Sequence, residues 1–63
     1  MNQFEKDLIN NCFKRCYGLL DATKTAVERQ DRLMLKACVE SIAAHSGLRV
    51  KFVEENLTEI LTI

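Results

Sequence analysis

Sixty-three residues make one domain at most, and a chain this short buries only about 60% of its unfolded surface. Nine basic and nine acidic side chains cancel, so overall charge offers no pull toward nucleic acid or anionic membranes. No window approaches the ~18 uninterrupted apolar residues of a membrane span, and the lack of Pro, with only two Gly, points to helices throughout.

The start, Met1-Asn2-Gln3-Phe4-Glu5-Lys6-Asp7, lacks the basic opening and apolar core of a signal peptide. Three cysteines suit a reducing compartment, where all can stay free. A cytoplasmic protein is therefore expected. Asn2 is placed to cap the first helix, with Glu5 at the capping-box position three residues later.

Residues 4 to 29 read as one long helix. Ile9, Phe13, Cys16, Leu20, Thr23 and Val27 alternate four and three residues apart, the spacing of a heptad seam. Phe4, Leu8, Cys12, Leu19 and Ala26 widen it on one side. Gly18 lies in the middle, where a break would give four short helices in all. The apolar stripe stays in phase across it, which favours a single helix bent or weakened there at a cost of about 1 kcal/mol against Ala. Such a seam predicts self-association along Ile9, Phe13, Cys16, Leu20 and Val27, at least to a dimer.

Gln30 and Asp31 form the first turn, with Asp31 as N-cap of the next helix. Leu35, Cys38, Val39, Ile42 and His45 then share one stripe, with Met34 beside it. Gly47 suits the left-handed position that ends many helices. Beyond it, Val50, Val53, Leu57, Ile60 and Leu61 fall within about 100° of arc on a last helix. The expected fold is all-α, a long N-terminal helix packed on a helix–turn–helix hairpin, in a single small bundle over residues 1 to 63.

Ala43, Gly47, Leu48 and Val53 are spaced as in the helix-turn-helix of bacterial and phage repressors, which this stretch resembles. That resemblance implies a second helix in the major groove, with Arg49, Lys51, Phe52 and Asn56 facing DNA. Two residues depart from the pattern. Asn56 sits where the family has an apolar side chain, and Glu54 and Glu55 would bring acid toward phosphates. A Gly-terminated helical hairpin without DNA function accounts for the same spacing.

Cys12, Cys16, Cys38 and His45 could offer three thiolates and an imidazole to zinc if their helices fold antiparallel. No C-x₂-C knuckle is present, and all three cysteines fall on apolar faces, where cysteine serves as a small hydrophobe. No metal or cofactor is expected. His45 has no orienting carboxylate at a recognisable spacing and no nucleophile motif beside it, so an enzyme is not expected. Phe52 projects about 100° from the nearest core residue of its helix, near Asn56 and Ile63, and these three form a candidate partner-binding surface.

As a whole, in its length, its untagged start from Met1 to Asp7 and its helical layout, the chain resembles the small early-region accessory proteins of lambdoid phages. The resemblance implies a non-enzymatic protein that favours lytic development in the host cytoplasm. The residues themselves favour a regulatory protein that binds another protein, with a DNA-binding regulator as the alternative.

Overall fold

Asn2 opens the first helix as its sequence requires. In the computed structural model, which describes residues 1–63, its side-chain oxygen accepts from the Glu5 N–H at 2.8 Å. The Glu5 carboxylate accepts from the Asn2 N–H at 2.9 Å, so two otherwise unpaired donors are satisfied reciprocally. Helix α1 runs Gln3–Arg15 and stops at Cys16.

The single helix expected over residues 4 to 29 is two helices. Tyr17 and Gly18 make a turn, Gly18 has φ +85°, and α2 (Leu19–Glu28) starts beyond it. The physical reason lies in the core that the two helices share. Two helices wrapped round one core each bury a stripe, so an unbroken period does not require an unbroken axis. A glycine already costs about 1 kcal/mol inside a helix and nothing in the left-handed region, so the chain turns there.

Gln30, at φ +54°, is the one non-glycine residue with positive φ, and it closes the turn into α3 (Arg32–Ser46). Asp31 caps α3 by accepting from the Met34 N–H at 3.1 Å. At the far end Gly47 adopts φ +74°, and the N–H groups of Gly47 and Leu48 both donate to the Ala43 carbonyl. Both caps stand where the sequence places them.

The last helix is also divided. α4 (Val50–Glu55) and α5 (Leu57–Ile60) meet at Asn56, whose ψ of 17° leaves the helical range. Its amide donates to the Phe52 carbonyl at 2.9 Å. A side chain that competes for its own helix's carbonyls favours such an interruption.

Helix α3 is the axis of the bundle and touches α1, α2 and α4. α1 lies beside it in parallel, thirty residues out of step. The Cys12 thiol lies 4.0 Å from the Ile42 carbonyl, and Arg15 bonds the His45 carbonyl. α2 returns antiparallel through the short Gln30 turn. The core is Ile9 from α1, Val39, Ile42 and Ala43 from α3, Val53 from α4 and Ile60 from α5. Met1, Phe13, Leu19, Leu35, Leu48 and Leu57 pack around it.

Two polar residues are buried, and both are satisfied. The Thr23 hydroxyl donates to the Leu19 carbonyl at 2.7 Å, and the Ser46 hydroxyl to Ile42 at 2.6 Å. Glu59 ties α5 to the start of α1 by accepting from the Met1 ammonium at 3.1 Å, with Lys6 at 3.6 Å. The whole measures 30 × 22 × 19 Å, and no helix is long and apolar enough to cross a membrane.

Candidate functional site

The heptad seam does not survive as a surface. Ile9 is sealed in the core, Phe13, Cys16 and Leu20 are half-buried, and Val27 is exposed on a different helix from Ile9. The break at Gly18 turns Ile9 and Thr23 into the bundle's own interior and leaves Val27 outside it.

Nor do the candidate zinc ligands converge. No three His, Cys, Asp or Glu side chains gather in a way that could hold a metal ion. Because α1 and α3 run parallel, Cys12 meets Ile42, not Cys38 or His45. The Cys12 thiol is pushed up to about 11, chiefly by burial and next by its neighbour Cys16, with Arg15 opposing. A metal ligand or nucleophile needs a thiolate, and this site opposes one. His45 leaves the apolar stripe for solvent. Its Nδ1 lies 2.8 Å from the Ser41 carbonyl, so that nitrogen is the one that carries hydrogen and donates.

In the repressor-like stretch, Arg49 and Lys51 are exposed but Phe52 and Asn56 are half-buried. The Asn56 amide is engaged by Phe52, which keeps it from a base edge. α4 has six residues, a rod of about 9 Å, and presents Glu54 and Glu55 to solvent. As a partner surface the set is also divided. Ile63 is exposed, whereas Phe52, expected to project freely, is partly covered.

A surface not singled out in the sequence is better formed. A groove of about 510 Å³ runs between α3 and the α4–α5 segment, floored by Leu35, Val39, Val50 and Leu57. Val50 stays 40% exposed there. The rim carries two cations, Arg32 and Lys36, and two anions, Glu40 and Glu54. None of these four is ion-paired within the chain. A smaller hollow beside Val27 and Gln30 shares Arg32 and Leu35 and extends the groove toward the α2–α3 turn.

Leu35, Val39, Val50 and Leu57 all fall on apolar stripes of the sequence. Only the three-dimensional packing shows that the α4–α5 segment leaves part of that stripe uncovered. No family model, curated protein or solved structure matches the chain, so the site rests on its own residues.

Proposed function

We propose that this chain is a small non-enzymatic regulatory protein that works by seating an amphipathic helix of another protein in the α3–α4 groove. The observation that carries this reading is the groove's composition, an apolar floor with a rim of both signs. From Arg32 to Glu40 is about 12 Å of helix, enough for the i, i+3/i+4, i+7 anchors of a docked helix. A rim of two cations and two anions matches a mixed-charge protein helix, whereas a phosphate backbone needs cations alone. The resemblance to lambdoid-phage accessory proteins supplies a setting, a host cytoplasm in which binding a regulator would favour lytic growth.

The test starts from a protein captured from cell lysate on the tethered chain, then identified and purified. Titrated into isotope-labelled chain, it should shift the amide signals around Leu35, Val50 and Leu57, and Val50→Asp should weaken binding about tenfold or more. Equal binding by Val50→Asp, or shifts confined to Arg49 and Lys51, would refute the groove. A steeply salt-dependent gel shift of random duplex would promote the DNA-binding alternative.

A further inference from the structure

Helix α3 is amphipathic in an unusual sense, because its solvent side is also apolar in part. At 100° per residue, Leu33, Ala37, Glu40 and Ala44 fall within about 60° of arc, opposite the core stripe. All four are exposed, and Leu33 is 83% exposed, which leaves a large side chain with no partner in its own chain. Lys36 borders this face, one turn before Glu40. Neither makes an ion pair within the chain, whose only two salt bridges are both to Glu59.

We infer that a second copy of this chain docks here, α3 against α3, antiparallel about a two-fold axis level with Cys38 and Val39. That placement lays bulky Leu33 of one copy over small Ala44 of the other, twice, as an isologous contact requires. The same axis preserves the flank on which Lys36 and Glu40 stand. Lys36 then lies within about 1.5 Å, in height along the axis, of Glu40 from the second copy. Both cross-pairs are attractive. The face is thus complementary to itself in size and in charge, which singles out a second copy as its occupant. Its Leu33, Ala37 and Ala44 lie outside the groove, while Lys36 and Glu40 stand on the ridge that the face and the groove share.

One helix face buries an area at or below the roughly 1,200 Å² of weak, transient interfaces, so the association is a weak one and the titration must reach high concentration. Sedimentation equilibrium from about 10 to about 500 µM should show the mass rising from one chain toward two. Ala44→Arg should hold it at one chain, with helical circular dichroism and melting unchanged because Ala44 is exposed. Lys36→Glu and Glu40→Lys should each weaken association several-fold, and the two together should restore it. If Ala44→Arg disturbs the fold, the charge swap alone decides. A one-chain mass for the parent protein at the upper limit would overturn the proposal. So would association that survives a folded Ala44→Arg, or a double swap that fails to recover.

Discussion

Arg15, near the end of α1, donates from Nη2 to the backbone oxygen of His45 at 2.9 Å, thirty residues along the chain. His45 lies in the last turn of α3, where carbonyls lack helical partners and the helix carries partial negative charge. A guanidinium from a neighbouring helix therefore does what a C-terminal cap does from within. With the Cys12–Ile42 contact one turn earlier, it fixes the parallel register of α1 on α3.

Arg15→Ala should accordingly destabilise the fold by about 0.5–1.5 kcal/mol, the usual net worth of one hydrogen bond. Arg15→Lys should recover part of this, since it keeps the charge at the helix end but loses the planar fork. Chemical denaturation reads both. An unchanged midpoint for Arg15→Ala would mean that solvent screens the contact completely.

Short-range signals were legible in the sequence, and features set by packing were not. Asn2 with Glu5, Asp31 and Gly47 are capping signals complete within a few residues, and each is used as expected. The turn at Gly18 was visible as a glycine but was overruled by the apolar phase, which carries no information about the helix axis. At Asn56 the amide competes locally with the helix, a tendency that burial of Val53 and Ile60 on either side had masked. The groove is an absence of cover over Leu35 and Val50, and no period reports what fails to cover a residue.

The two glycines give a test of sign. An alanine at Gly18 would meet no neighbour within 4 Å, so only its backbone angle matters. Were Gly18 inside a continuous helix, Gly18→Ala would stabilise by about 1 kcal/mol. At φ +85° it should instead destabilise by about 1–2 kcal/mol, as should Gly47→Ala at φ +74°. A stabilised Gly18→Ala protein would restore the single long helix.

The thiols should react in an order set by cover. Cys16 is partly exposed, while Cys12 and Cys38 are buried, so a thiol reagent at mild alkaline pH should label Cys16 first. Labelling of the other two should wait for opening of the fold. Folded Cys12 titrates near 11 against an ordinary 9.0, so above pH 9 the unfolded chain sheds this proton before the native one does. That contribution to stability is whole below about pH 9 and is lost as pH climbs to about 11. Cys12→Ala, though less stable overall, should lose less stability across that interval. A parallel pH profile for the two proteins would remove Cys12 as the cause.

Binding to random duplex DNA should be negligible near physiological salt. Arg49 and Lys51 are the only cations of the repressor-like stretch that face solvent, and Glu54 and Glu55 are exposed on the same six-residue helix. Two cations release about two counterions, which gives a log–log salt slope near −2, whereas proteins that hold DNA well make about 6–10 phosphate contacts. The acidic pair opposes even that small gain. Glu54→Lys with Glu55→Lys should leave the buried face of α4 untouched, because both side chains are exposed, and should raise DNA affinity measurably at low salt. A micromolar shift by the unaltered chain, weakening steeply as salt rises, would show that cations elsewhere on the bundle join Arg49 and Lys51 in one groove, and would transfer the functional reading from α3 to α4.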